Sequence, residues 1–519
     1  MPSLDSRIMD SPIPLPVLAI LSLVVVLYIT RSRRSKPPAL RLPPGPWQLP
    51  LIGSLHHLLL SPFSDLPQRA LREMSATHGP LMLLRLGSVP TLVASSAAAA
   101  REVMRTHDLA FCSRHLSPTI GIISCGGRDI VFSPYNDRWR ELRKVCMLEF
   151  FNQRRVLSFR RIREEEVARL LRSIAGECAG GGGGGAVNLS EGIGHMINDI
   201  VVRTAIGGRC RYRDEFLHGL DEAVRLTGGF NLADLYPSSW LMRRISSAAR
   251  DMVKCQRNIY RIIESIIHER AVSPAMDQEA EDFLGVLLRL QKEGGLQFPL
   301  TNEILSTVIF DIFSAGSETS STVLVWAMSE LIKNPRVLQR AQSEVREIFA
   351  GQEKLIEEDM VRLRYLHLVI KETLRLHAPV PFLIPRECRE TCKVMGYDVP
   401  KGTKVFINVW AIARDNELWD DGEEFRPERF DGSNIDFKGT DFEYTPFGAG
   451  RRICPGISLG LANMELVLAS LLYHFDWELP TGVKCEEFDM GEAFGITLRK
   501  KSKLWLHAHR RISFQSENN

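Results

Sequence analysis

The sequence predicts a mainly α-helical protein, one large helical domain with a small β component behind an N-terminal membrane anchor helix. Apolar residues recur at three-to-four spacing over 163–173, 220–226, 252–270, 283–292, 302–332, 336–349, 365–377 and 457–475, the period of helices with a buried face. Strand signals are short: "LMLLRLG" at 81–87, "TLVAS" at 91–95 and "KVFINVWAI" at 404–412, each with turn residues near its ends. The amino terminus follows neither pattern.

That terminus is apolar over 17–29 apart from Ser22, with Asp5 and Asp10 before the run and Arg31, Arg33, Arg34 and Lys36 after it. A cleaved secretory signal has a basic start and a small-residue cleavage site. Acidic residues first and a basic flank afterwards predict a retained anchor, with everything after residue 31 facing the cytosol. The run is near the lower length limit for a span, so a buried or interfacial helix is the competing reading. Next comes "KPPALRLPPGP" at 36–46, whose prolines favour extended, stiff backbone. The expected organisation is an anchor over 1–30, a basic and proline-rich hinge over 31–46, and a single domain over 47–519. The glycine run at 180–185 lies between helical patterns and reads as a surface loop within that domain.

With 65 basic and 62 acidic residues the formal charge is only +3, and no sustained basic helix or zinc-finger spacing points to nucleic acid. Ten cysteines in a cytosol-facing chain read mostly as small buried side chains, not as a disulfide framework. Cys388 and Cys392 lack the second pair that a zinc site needs. The Asn188-Leu189-Ser190 sequon goes unused on that side of the membrane.

Chemistry concentrates in four short stretches. In "ILSTVIFDIFSAGSETS", 304–320, an all-round apolar helix meets Ala315, Gly316, Ser317, Glu318, Thr319 and Ser320. A mid-helix glycine costs about 1 kcal/mol, so the pattern predicts either a local opening where a ligand reaches the backbone or a helix surfacing into solvent. In "KETLRLHAPVP", Glu372 and Arg375 sit three apart on a helix that Pro379 and Pro381 end; "FRPERF" then supplies Arg429, and a carboxylate between two guanidiniums makes a positional lock. Last is "FGAGRRICPG", 447–456, where one cysteine follows two arginines in a glycine-rich loop. By itself Cys454 reads as a redox thiol, a buried structural residue or a metal ligand.

In this order, AGSETS, ETLR, FRPERF and FGAGRRICPG resemble the cytochrome P-450 superfamily of haem-thiolate monooxygenases, and the phrasing of the last two is similar to the plant microsomal A-type clan of specialised metabolism. The resemblance covers essentially the whole chain and implies a single cytochrome P-450 type haem domain. It implies haem b with Cys454 as axial ligand to the iron, in a loop shaped by Phe447, Gly450, Arg452 and Gly456. Trp139, Arg143, Arg386 and Arg452 would face the propionates, for which arginine's fork suits carboxylates. Ala315, Gly316, Glu318 and Thr319 match the oxygen-activation motif, the acid and alcohol handling protons, and Glu372, Arg375 and Arg429 match its structural set. Relatives that rearrange peroxides without dioxygen often lack this threonine, so the intact pair argues against that alternative and against a non-catalytic haem carrier.

The implied pocket segments are largely apolar, with Leu116, Ile120, Phe313, Val380, Phe382 and Phe494 as candidates, so the expected substrate is lipophilic: a terpenoid first, an indolic or phenolic-lipid scaffold second. No Rossmann or flavin fingerprint is present, so NADPH is expected to serve indirectly, through a membrane-bound NADPH-cytochrome reductase, with a cytochrome b-type donor as a second source. The expected docking charges are Arg138, Arg140, Lys144 and Arg451, and the expected location is the endoplasmic reticulum membrane.

Overall fold

The computed structural model describes residues 40–180, 185–272 and 282–512. The anchor expected over 1–30, the first part of the hinge and most of the glycine run lie outside the described residues.

Helices dominate, among them in chain order α1 (Asp137–Glu149), α2 (Leu189–Ile206), α3 (Arg213–Leu226), α4 (Ser247–Val272), α5 (Asn302–Lys333), α6 (Arg364–Leu376) and α7 (Ile457–His474), with further helices between them. The β component is one small sheet and three two- or three-stranded pieces. Its strands β1 (Leu81–Leu86), β2 (Val89–Ala94), β3 (Ser113–Arg114), β4 (Arg386–Glu387) and β5 (Lys404–Ile407) are ordered β1-β2-β5-β4-β3. β2 and β5 run parallel, Thr91 opposite Lys404 and Ala94 opposite Ile407; the other pairs are antiparallel. Near the carboxy terminus β6 (Glu492–Phe494) and β7 (Leu498–Lys500) form a hairpin.

All eight expected segments fall on helices: those at 163–173 and 220–226 belong to longer helices, Arg160–Gly180 and Arg213–Leu226, whereas those expected to end at 349, 377 and 475 stop one residue earlier. "KVFINVWAI" divides: 404–407 is strand, but 409–412 is a helical turn, because the Asn408 side chain caps it by accepting from the Ala411 amide. The sequence gives no clear period for α2, whose Gly192, Gly194, Asn198 and Asp199 interrupt the stripe. Tertiary packing overrides that weak pattern: α2 is wedged between α5 and the helix Arg160–Gly180, and Ile197, Ile200, Val201 and Asn198 are fully enclosed.

Central helix α5 starts at the Thr301 cap and stops before Pro335. It is continuous through the AGSETS stretch, which corrects the expected opening. Polar side chains in and just after it bond without breaking the ladder: Thr319 Oγ1 donates to the Ala315 carbonyl (2.8 Å), Ser321 Oγ to the Ser317 carbonyl (2.7 Å), and Asn198 Nδ2 to Ser317 Oγ (3.2 Å). Gly316 lies on the wall of a cavity and serves packing as well. A Cβ there would lie 3.1 Å from both γ-methyls of Val201, so the glycine lets α2 pack close. Helix α7 is the one described helix both long and apolar enough to cross a membrane, and it is core: Leu466 to Leu472 are buried against the helices around it.

The lock of Glu372 and two arginines forms as its residue types suggest. Glu372 accepts a two-pronged pair from Arg375 (2.8 and 2.9 Å), one bond from Arg429 Nε (2.9 Å) and one from the Arg426 amide (2.8 Å), with Glu372 and Arg375 fully buried. The arginines' remaining donors hold carbonyls of Ala413, Gly422, Glu424 and Asp420, so the irregular chain before the cysteine loop is pinned to α6.

Candidate active site

One large cavity lies between α5, α1, α6, the sheet and the cysteine loop, with about 250 Å³ for the centres of water-sized occupants. Its wall is mainly apolar. From α5 it receives Asp311, Ala315 and Thr319, four residues apart and so on one face, together with Ile312, Gly316, Ser320 and Val323.

Cys454 belongs to the wall of the same cavity. The loop reaches it through a tight turn at Gly450–Arg452 and closes on itself, the Cys454 amide donating to the Phe447 carbonyl (3.0 Å) before α7 begins. Burial pushes the thiol up, opposed by the Gly456 amide and the Arg143 guanidinium, both of which favour thiolate. Gly450 has φ +66°, and a Cβ there would fall within 2.6 Å of Asp108 Oδ1 and nearer still to the Met104 carbonyl. This glycine therefore serves the approach of Asp108 and Met104. Gly456 is ordinary by comparison, its added Cβ 3.4 Å from the Phe151 ring.

Arg114, Arg143, Arg386 and Arg452 all reach this cavity. Each is steered by carbonyls: Arg452 by Cys112 and Ser133 (2.6 Å each), Arg114 by Val131 (3.1 Å) and Ile384 (2.6 Å), Arg143 by Ile453 (2.5 Å), Arg386 by Ala449 (2.7 Å). Arg452 Nη1 is buried without a partner, and burial with its cationic neighbours pushes this residue down to about 9. Arg114 is likewise depressed by burial, then by Arg452, Arg386 and Arg143. So much buried, mutually repelling positive charge calls for an anion. The carboxylates of a haem would meet that demand, Cys454 would offer its thiol to the iron, and the apolar walls suit the ring; the residues present fit the group.

Two expected assignments change. The Trp139 indole N–H donates to the Ile130 carbonyl (2.9 Å), so this residue acts through its ring, which lies 3.9 Å under the Arg452 guanidinium and 5.5 Å from that of Arg143. Glu318 is not on the cavity wall. Its carboxylate is paired with Arg499 of β7 and accepts from Thr497 Oγ1 (2.7 Å), while Arg499 continues to Asp221 of α3 (2.6 Å).

Of the six pocket candidates, Val380 lies on the wall. Phe382 and Phe494 instead join Phe230 and Phe406 in an aromatic cluster under the 226–236 segment, and Phe313 packs edge-on against Phe216. Leu116 abuts the Gly127 turn, and Ile120 is buried in the helix Pro118–Ile123. Of the docking charges, Lys144 and Arg140 are exposed and Arg451 half-exposed, whereas Arg138 is partly buried and donates to the Gly127 carbonyl (3.0 Å).

Sequence reasoning missed Arg114 and Asp311. Arg114 had a signal, the single lysine, arginine or carboxylate residue between Phe111 and Ile120. Asp311 had one as well, the single charge in the apolar half of α5; its Oδ2 accepts from the amides of Ile130 (2.6 Å) and Val131 (3.0 Å), fixing the loop before α1. Burial pushes Asp311 up to about 7, and Asp129 beside it is raised by burial and by Asp311.

The family model described as Cytochrome P450 matches residues 43–506. The dolabradiene monooxygenase of Zea mays is 51% identical over 493 residues, 94% of this chain and 96% of that one. The ent-cassadiene hydroxylase of Oryza sativa subsp. japonica is 51% identical over 494 residues, covering 93% and 95%. A zebra fish cytochrome P450 solved with abiraterone superposes with a TM-score of 0.72 at 25% identity, over 86% of this chain and 99% of that one. A thiol and a buried arginine set facing one apolar cavity, on a fold and sequence shared at this length, leave one conclusion: the chain belongs to the cytochrome P450 family of haem-thiolate monooxygenases.

Proposed function

We propose that the protein hydroxylates a terpenoid, taking one oxygen atom from dioxygen and electrons from NADPH through a separate membrane-bound reductase. The observation that carries this is the apolar cavity that joins Cys454 to the Thr319 hydroxyl. Lipophilic walls with few polar groups select a substrate of low polarity, and the dolabradiene and ent-cassadiene enzymes at 51% identity favour a terpene skeleton.

When bound, haem b supplies the activation of dioxygen. Around it the chain does the rest. Cys454 would hold the iron as thiolate, a form that the Gly456 amide and Arg143 favour. Arg452, Arg143 and Arg114 would bind the carboxylates, and the Trp139 ring face lies against two of those guanidiniums, Arg143 and Arg452. Ala315 and Gly316 keep the α5 wall low, and Thr319 presents a hydroxyl one turn further on. That hydroxyl donates to the Ala315 carbonyl (2.8 Å), so toward any other group its oxygen can act as an acceptor. Proton delivery from Glu318 requires its pair with Arg499 to open first.

The same reading places the enzyme on the endoplasmic reticulum. Exposed Trp47, Leu51, Leu59 and Leu60 on one side, and Leu232, Trp240, Leu241 and Ile245 on the other, belong to segments flanking the β1–β2 turn. Gly87 donates to the Ile52 carbonyl (3.3 Å) and Ser88 to the Leu235 carbonyl (2.9 Å), which puts both apolar sets beside the entering chain. Coexpression with a reductase and product profiling on terpene, alkylphenol and indole scaffolds tests the substrate class. NADPH-dependent hydroxylation of a terpene is the expected result; turnover confined to the other scaffolds would overturn it.

A further inference from the structure

Asp108 is a buried carboxylate that no step above employs. It is 5% exposed and sits just beyond the helix Glu102–Thr106, against the cysteine loop. Its Oδ1 accepts from Arg386 Nη1 (3.0 Å); its Oδ2 accepts from the Arg451 amide (3.1 Å) and from Arg451 Nη1 (2.7 Å). Arg386 is 4% exposed and reaches the haem cavity, whereas Arg451 is 47% exposed on the outer surface of the loop and also meets Tyr135. One carboxylate thus bridges a cation that faces the cofactor site and a cation that faces solvent. Gly450 gives way to it, since a side chain there would overlap Oδ1.

We propose that Asp108 is a positioning residue that ties the outer, electron-donor face of the cysteine loop to the charge balance of the haem cavity. It does two things at once. Through the Arg451 amide and through Arg386, which also holds the Ala449 carbonyl, it fixes the loop between β4 and the helix Glu102–Thr106. Through its charge it offsets Arg386, whose field reaches the cavity through low-dielectric protein. An acidic partner that draws Arg451 away leaves that offset to be shared by Arg386 and one amide, so events at the surface change what the cavity feels.

The proposal rests on Cys454 as haem ligand, and its test begins with wild-type protein showing the red-shifted carbon monoxide band; absence of that band would overturn the ligand assignment instead. The reduction potential of haem-loaded protein is then measured for Asp108→Asn, Arg451→Gln and the double variant. Asp108→Asn keeps the size and one acceptor but removes the negative charge, so the potential shifts upward. Arg451→Gln removes a cation and shifts it downward, by more than the control Arg140→Gln, an exposed arginine that also meets Tyr135 but pairs with Asp137 instead of Asp108. Because both changes act on one carboxylate, the double variant departs from the sum of the single shifts. An unchanged potential in Asp108→Asn, or additive shifts, would reduce Asp108 to packing and sink the proposal. Should Asp108→Asn fail to take up haem, the Arg451→Gln and Arg140→Gln comparison decides alone: equal shifts overturn it.

Discussion

Replacing Gly450 with alanine should disable the cysteine loop, while the same replacement at Gly456 should leave it nearly intact. Both glycines belong to one motif, but their surroundings differ. At Gly450 the backbone is left-handed, φ +66°, and an L side chain there costs about 1–2 kcal/mol. The new Cβ would also overlap the Met104 carbonyl and lie 2.6 Å from Asp108 Oδ1. Crowding of this kind in a packed interior adds about 1–3 kcal/mol. The total, about 2–5 kcal/mol, is a shift of roughly thirty- to several-thousand-fold against the native loop. At Gly456 φ is −93°, and the nearest neighbour of the new Cβ is the Phe151 ring at 3.4 Å; alanine there costs under about 1 kcal/mol and restricts the unfolded chain. The assay is the carbon monoxide difference spectrum of each reduced variant, alongside its thermal midpoint. Gly450→Ala should lose most of the red-shifted band and Gly456→Ala should keep it. Equal losses, or a larger loss at Gly456, would refute the reasoning from Cβ neighbours.

Thr319→Ala removes the hydroxyl at the α5 wall and should uncouple electron use from product; an unchanged product yield per NADPH would show that the hydroxyl is idle. Glu372→Ala leaves Arg375 and Arg429 buried without their counter-charge, a loss of about 3–5 kcal/mol, visible as a lower urea midpoint and poorer haem retention; a variant as stable as wild type would refute the lock. Asp311 is raised from 3.8 to about 7 by burial, so the folded state binds its proton more tightly than the unfolded one. Its contribution to stability is full at low pH and is lost as pH rises through about 7. Relative to Asp311→Asn, which retains an acceptor for the Ile130 and Val131 amides, the wild type should therefore lose stability across that window; parallel pH profiles in denaturant titrations would count against the shift.

Much of this molecule was legible because its signals are local. The helices over 252–270, 302–332 and 457–475 announce themselves by period, since a helix with a buried face must repeat apolar residues every three to four positions. The Glu372 and Arg375 pair is also local, one turn apart on α6. Helix α2 was not legible, because its buried Asn198 and Asp199 find their partners on other helices, Ser317 of α5 and Arg213 of α3, and no stripe survives in the sequence.

What the chain alone determined is an inventory: a cysteine loop, an acid and an alcohol on an apolar helix, and arginines whose order resembles one family. Only tertiary structure decided which face each group shows. Thr319 and Glu318 are neighbours in sequence, yet about 100° of helical turn separates them, so one meets the cavity and the other meets Arg499. Arg114, Arg143, Arg386 and Arg452 come from separate parts of the chain, and no spacing rule could have assembled them. Gly450 carries the same lesson, for its missing side chain makes room for Asp108, more than 300 residues away in the chain and in contact only once the sheet and the loop are folded together.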